Sequence, residues 1–327
     1  MTRLLSFLSI VVLLSLVLSC EKELRFDRNL TTNPRLYANC LLNPDSIYRA
    51  YISYTINITD PISDIQDKID KAQNALVVIT DTVDNISDTL QCVGKYSDES
   101  SFLVFESLTG TRPQFDRSYK LEVSEPFNPK NRMSTNYTLT PDDFDSVTLT
   151  PLSPLVQIIH TDATFRFELE WENPVSKDNF FIIEGIFKIT HPQTGDIEYI
   201  RANLYSTSSN NDNGSISDHI TNEFLYLFFM DRPGLNTTNI TKTKIAVVTA
   251  PYENAVDNFG QNNIDAEIIV RVLQVNKPTY DYYHDVENYR KNNNTSIFSL
   301  PIIVQGNIQG VGLFGAQVIR EVVYTLP

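Results

Sequence analysis

Polar and apolar residues alternate with a period of two along most of this chain. Tyr48–Ile58 (YRAYISYTINI) is rich in β-branched and aromatic residues and reads as a strand. Leu76–Thr80, Ser101–Glu106, Tyr119–Val123 and Ser146–Thr150 continue the series. Turn signals at Asn43-Pro44-Asp45, Thr109-Gly110 and Asn128-Pro129 separate them. Further on, Thr164–Trp171, Phe180–Thr190, Ile197–Tyr205, Leu225–Met230, Lys244–Thr249 and Ala266–Val275 read as longer strands. The second and third of these pair across the turn His191–Gly195. Only two stretches carry a helical period. Ile62, Ile65 and Ile69 recur at three- and four-residue spacing within Ile62–Ala75. Tyr280–Lys291 (YDYYHDVENYRK) follows Pro278, with Thr279 as the expected N-cap and Tyr282, Val286 and Tyr289 on one face.

Regular short strands between turns predict a mainly β protein of two β-sandwich domains. The prolines of TPLSPL (Pro151, Pro154) predict a linker over residues 151–155, because proline cannot join a central strand. The expected organisation is therefore an N-terminal sandwich over 35–150 and a C-terminal sandwich over 156–327, the latter with the added helix near 280–291. Trp171-Glu172-Asn173-Pro174 before a hydrophobic strand is similar to the fibronectin type III pattern, and the N-terminal unit is expected to be immunoglobulin-like or carboxypeptidase-regulatory-like.

Composition narrows the function classes. The 327 residues carry 40 acidic and 26 basic side chains, a net charge of −14, which removal of Arg3 with a signal segment makes −15. Such a field repels phosphate backbones, so nucleic acid is excluded as a partner, and charge alone does not hold the chain on anionic lipid. The four histidines, His160, His191, His219 and His284, are not at metal-ligand spacing. Asn211, Asn213 and Gly214 resemble part of a calcium loop, but Ser209 and Ile220 occupy the positions where its carboxylates belong. There is no GxSxG elbow, no HExxH and no phosphate-cradling GxxxxGK[ST]. Acid pairs such as Asp142-Asp143 and Glu170/Glu172 arise by chance in a chain so rich in carboxylates. No metal, cofactor or catalytic residue is implied, and the chain is expected not to be an enzyme. The nine Asn-x-Ser/Thr triplets reflect a composition rich in Asn and Thr.

Two populations remain. Cys40 and Cys92 either form a disulfide, worth roughly 4 kcal/mol through the unfolded state, or are buried free thiols, since both sit among apolar neighbours. Most of the 16 Tyr and 18 Phe are expected in strand cores, but Tyr280, Tyr282, Tyr283 and Tyr289 put rings on more than one helix face, and tyrosine favours interfaces. If a binding face exists, Tyr280 and Tyr283 of the C-terminal helix, with the polar loop at Asn210, Asn211 and Asp212, are its expected location.

The N-terminus is the sharpest local signal. Arg3, the apolar run Leu4–Leu18 and Ser19 read as a secretory signal over 1–19, too short to remain as a membrane span. Val17-Leu18-Ser19-Cys20 resembles a bacterial lipoprotein box, which implies acylation of Cys20 and an anchor and linker over 20–34. Glu21-Lys22-Glu23 is similar to the surface-export signal of Bacteroidota lipoproteins, which implies an outer-membrane location facing the cell exterior.

The C-terminal stretch Gln305–Ala316 places Asn307, Gly310, Gly312, Phe314 and Gly315 in a pattern that resembles the closing motif of a Bacteroidota outer-membrane lipoprotein family known only as a domain of unknown function. Its Asn-Ile-x-Gly-Gly-x-Gly-x-Phe-Gly is one residue shorter here, since Gly310 runs straight into Val311. Leu41–Ser46, Phe229-Met230-Asp231-Arg232 and the tyrosine-rich helix also match that family. Its members are often encoded beside TonB-dependent transporters. The resemblance thus implies a lipid-anchored surface protein that is a non-catalytic accessory or ligand-binding partner of such a transporter. A structural component of an outer-membrane complex is the alternative, and a surface hydrolase a more distant one.

Overall fold

The computed structural model describes residues 36–54, 67, 70–96, 102–125, 128–135, 138–144, 147–159, 162–172, 178–191, 194–206, 226–231, 240–248, 265–295, 307–308 and 311–326. Among them strands make up 68% and helix 9%, so the mainly β expectation holds. Sixteen strands form one continuous open sheet. They are β1 (Leu36–Leu42), β2 (Arg49–Tyr54), β3 (Leu76–Asp81), β4 (Ile86–Lys95), β5 (Leu103–Glu106), β6 (Ser118–Glu125), β7 (Asn128–Ser134), β8 (Thr138–Leu139), β9 (Val147–Ile159) and β10 (Asp162–Glu172). After them come β11 (Asn179–Thr190), β12 (Ile197–Ser206), β13 (Leu227–Asp231), β14 (Ile240–Val248), β15 (Asp265–Val275) and β16 (Val311–Thr325), with one helix, α1 (Lys277–Thr295), before the last strand. The hydrogen-bonded order is β7-β6-β3-β4-β5-β2-β1-β16-β15-β11-β12-β14-β10-β9, with β13 beside β11 and β8 beside β6.

Changes of partner along a strand, as in β4 and β12, bend the sheet. β4 pairs with β3 through Ile86–Leu90, then with β5 through Gln91–Lys95, its register shifting between Cys92 and Gly94. β12 pairs with β11 through Ile197–Ala202 and with β14 through Asn203–Ser206. The bends bring distant strands together. In one apolar cluster Leu36, Ala38 and Leu42 of β1 lie with Val77 and Ile79 of β3 and Leu121 and Val123 of β6. Flat strands about 4.8 Å apart could not bring β1 and β6 into contact. In the second cluster Phe167 and Trp171 of β10 and Ile245 of β14 meet Phe181 of β11 and Val270 of β15. Trp171 packs edge-on against Phe181 and Phe229 at 5.5 and 5.4 Å.

β16 contributes to both clusters. Its first residues pair parallel with β1, from Tyr37↔Val311 to Leu42↔Ala316. Its remaining length pairs antiparallel with β15, from Val275↔Gln317 to Glu267↔Thr325. Phe314 and Ala316 enter the first core and Val318 the second, each fully buried. At Gly312, φ is +133° and an added Cβ would lie 1.8 Å from the Ala38 carbonyl oxygen, so only glycine permits this approach to β1.

Several expectations change. Residues 151–155 are strand, not a free linker. Pro151 stands opposite Phe167 and Val156 opposite Phe165, so the intervening residues form a bulge on β9, the last strand of the sheet. Proline is tolerated at such an edge because a solvent-facing position needs no N–H. Cys40 and Cys92 are both free. β2 and β5 lie between their strands, and three strand steps of about 4.8 Å exceed the reach of a disulfide. Cys40 is wholly buried, and burial pushes its thiol up to about 12. The hairpin between β11 and β12 forms as expected: Gly195 N–H donates to the His191 carbonyl at 2.8 Å and His191 N–H to that of Asp196 at 2.9 Å. The expected helix over 62–75 lies outside the described residues except at 67 and 70–75, where Asp67 and Asp70–Ala72 are helical.

Two outcomes follow from these contacts. Gly312→Ala is expected to destabilise the chain by roughly 2–4 kcal/mol, because backbone must move. Urea denaturation monitored by tryptophan fluorescence measures it. At the β3 turn Asp81 accepts from the Val83 amide at 2.9 Å and the Asp84 amide at 3.3 Å, and from Arg117 at 2.9 Å. Burial raises its carboxyl, but these donors outweigh it and hold it below its ordinary 3.8. A depressed folded-state value stabilises above the unfolded one. The contribution is therefore complete above about pH 4 and lost as pH falls below 3.8 towards the folded value. Asp81→Asn should flatten that acid-side loss in pH-dependent thermal unfolding.

Candidate functional site

β15 ends at Val275 and α1 begins at Lys277, leaving Asn276 alone to turn strand into helix. An asparagine at an N-cap offers a side-chain oxygen to the helix amides left unpaired in the first turn. Asn276 Oδ1 accepts from Thr279 N–H at 3.3 Å and Thr279 Oγ1 at 2.6 Å, and Tyr280 N–H donates to the Asn276 carbonyl at 3.0 Å. The cap is therefore Asn276 and not Thr279. Pro278 falls in the first turn, where a missing N–H is harmless.

The cap is tied to the closing motif. Ala316 N–H donates to Asn276 Oδ1 and to Thr279 Oγ1, both at 3.2 Å, and Asn276 N–H donates to the Ala316 carbonyl at 3.1 Å. An added Cβ on Gly315 would lie 1.9 Å from Thr279 Oγ1, so this glycine is what lets the helix seat on β16. Asn307 grips Phe314 from the other side: its Nδ2 donates to the Phe314 carbonyl at 2.6 Å and its Oδ1 accepts the Phe314 N–H at 2.8 Å. Thr138 Oγ1 donates to the same carbonyl at 2.9 Å. Gly310 lies outside the described residues.

A cleft of about 310 Å³ opens at this junction, lined by residues 139–142, 178–180 and 274–278. Gln274 and Asn179 are almost wholly buried there, and Gln274 Nε2 donates to Asn179 Oδ1 at 3.1 Å. Two buried atoms have no hydrogen-bond partner, Gln274 Oε1 and Asn276 Nδ2. Lys277 bonds Asp281 on the next turn at 2.6 Å and stands 5.9 Å over the Phe180 ring. Asp178 and Lys277 are exposed at this cleft.

The expected tyrosines pack inward beside it. Tyr280 meets Phe180 at 5.2 Å and Phe228 at 5.5 Å, and Tyr283 meets Tyr226 edge-on at 5.2 Å. Burial, foremost, raises both hydroxyls above the usual tyrosine range. The helix residues packed on this aromatic cluster are thus Tyr280 and Tyr283, with Glu287 buried a turn further on, rather than the expected Tyr282 and Val286; the side chain of Tyr289 lies outside the described residues. Tyr282 bonds Tyr37 of β1 instead. Beside the helix, Glu184, nearly buried on β11, lies between Arg201 at 3.4 Å and Arg271 at 3.3 Å. Arg201 donates to Tyr226 Oη at 2.9 Å and Arg271 to Glu321 at 2.8 Å, which neutralises the carboxylate under the sheet's outer side chains. Cys20 and the loop residues Asn210, Asn211 and Asp212 lie outside the described residues. Among the described residues no three His, Cys, Asp or Glu side chains gather as a metal site, and no helix is long and apolar enough to cross a membrane.

The model of the domain of unknown function DUF4249 matches residues 21–321. The chain belongs to the DUF4249 family. No curated protein matches it significantly. In this DUF4249 protein the matched span begins at the residue after Cys20 and ends within β16. The motif that carried the resemblance at sequence level is the one whose side chains hold β1, β16 and α1 together. The cleft residues Asn179, Gln274, Asn276 and Lys277 carried no motif, although Asn two places before Pro278 is a helix-start signal. Asp142 stood out only as half of an acid pair; its neighbour Asp143 pairs with Arg320, which also reaches Asp45 at 2.9 Å.

Thr279→Val, which keeps volume and removes the hydroxyl, is expected to cost about 1–2 kcal/mol of stability. Gly315→Ala is expected to cost more, roughly 2–4 kcal/mol, since α1 must shift off β16. Chemical denaturation of both variants measures the order.

Proposed function

We propose that this protein is a lipid-anchored component of the bacterial cell surface that acts as a non-catalytic accessory or ligand-binding partner of a TonB-dependent outer-membrane transporter. The carrying observation is the lipoprotein-box sequence Val17–Cys20, after which the DUF4249 match begins directly, at Glu21. An acylated Cys20 would hold the folded chain by its N-terminus, since several acyl chains anchor stably where one does not. The acidic Glu21-Lys22-Glu23 supports the outward-facing side of the outer membrane. The cleft at the head of α1 supports ligand binding: it is concave, mostly apolar and furnished with a few polar groups, as small-molecule sites are. In the same reading each apolar cluster is the core of one sandwich, immunoglobulin-like or carboxypeptidase-regulatory-like in the N-terminal half and fibronectin type III-like in the C-terminal half. β16 joins the two.

The test is a mild-detergent pull-down of tagged protein from its native membrane, followed by mass spectrometry. Recovery of a TonB-dependent barrel at near-equal abundance is expected. Cys20→Ala should move the protein out of the membrane fraction and lose the barrel. A wild-type protein recovered alone, or a Cys20→Ala variant that stays in the membrane, would refute the reading.

A further inference from the structure

The two orphan atoms of the cleft have opposite polarity. Asn276 Oδ1 already accepts from three donors, so its Nδ2 is the end left over, and it can only donate. Gln274 gives its Nε2 to Asn179, so its Oε1 is left to accept. Leaving a buried polar atom unpaired costs about 1–3 kcal/mol. Here two such costs fall on residues two apart that both line one cleft. Their other ends are fixed by these bonds, so the unpaired ends keep their polarity, and an occupant of the cleft that both residues line is what can pair them.

One acceptor and one donor, presented two residues apart at a strand end, match a single residue of an extended peptide. The N–H and C=O of that residue point to the same side, because strand partners exchange bonds in this way. The remaining lining fits the rest of such a ligand. Leu139, Pro141, Phe180, Val275 and Pro278 offer an apolar wall for an aliphatic side chain. Exposed Asp178 and Lys277 offer one charge of each sign for free chain ends. A saccharide would satisfy the two amides but set its hydroxyls against that wall. A polyanion would meet Asp142 and Asp178. The volume, about 310 Å³, is at the small end of ligand clefts.

We infer that the cleft between the β15–α1 junction and residues 139–142 binds a short peptide with free ends and an aliphatic side chain, read by Gln274 and Asn276. This rests on the ligand-binding reading above and names its substrate class.

The experiment is titration calorimetry of the full lipidated protein in detergent. The probes are alanyl-leucyl-alanine, the same tripeptide acetylated and amidated at its ends, and N-acetylglucosamine. The free tripeptide is expected to bind saturably and the sugar not to bind. Gln274→Leu should weaken binding roughly tenfold or more, one lost hydrogen bond's worth. The double surface variant Asp178→Asn/Lys277→Ala leaves the core untouched. It should bind free and blocked tripeptides alike, where the wild type prefers the free one. Absence of tripeptide binding, binding of the sugar in its place, or equal binding by wild type and all variants would overturn the assignment. The pull-down separates the two failures. If wild type and Gln274→Leu both recover the barrel while no tripeptide binds, the peptide assignment falls and the accessory reading stands. If the tripeptide binds and no barrel is recovered, the reverse holds.

Discussion

The double pairing of β16 is the constraint on which the rest of the structure depends. A strand that runs parallel to β1 for one stretch and antiparallel to β15 for the next must supply side chains to two cores at once. It does so with Phe314 and Ala316 in one and Val318 in the other. The crossing point falls at Ala316–Gln317, where α1 is also tied in. Everything nearby is fitted to that crossing: a glycine against the β1 backbone, a second glycine under Thr279, and Asn276 whose oxygen serves helix cap and strand together.

The polar groups at this junction show why the arrangement is specific. Parallel pairing with β1 leaves part of the β16 backbone facing away from any strand, and a buried unpaired amide or carbonyl is costly. Side chains fill the gap. Asn307 acts as a one-residue strand for Phe314, and Thr138 adds a second donor to the same carbonyl. Such substitutes work only at one register, since a slip of one residue would turn Phe314 outward and leave the amide of Asn307 without its partners.

Much of this was legible in the sequence where side chains alternate strongly. β10 carries large apolar residues at every second position and β11 and β15 are long and apolar, and their extents agree closely with expectation. β4 was illegible because only Leu90 along it is buried; its role is to turn the sheet, and a bending strand needs little apolar surface. β1 alternates too, but with Ala38 and Cys40 at inward positions, and small residues give a faint signal. TPLSPL misled because proline marks edge strands and bulges as well as linkers. The closing motif was recognisable as a pattern of Asn, Gly and Phe, yet its purpose needed the β1 contact of Gly312 with Ala38, far apart in sequence. The cleft was invisible for another reason: it is assembled from three separated segments whose residues are individually ordinary.

The pairing of the first described strand with the last also sets an order of events for the growing chain. A polypeptide made from its N-terminus exposes Leu36, Ala38 and Leu42 long before residues 311–316 exist to cover their strand edge. The places of Phe314 and Ala316 in the N-terminal core therefore stay open until synthesis is nearly finished, and closure waits on a contact of high sequence separation, which is slow to form. Such a chain remains threadable while it is being made and locks only when its end arrives. This order makes the final strand the step at which a shortened chain fails in both halves at once.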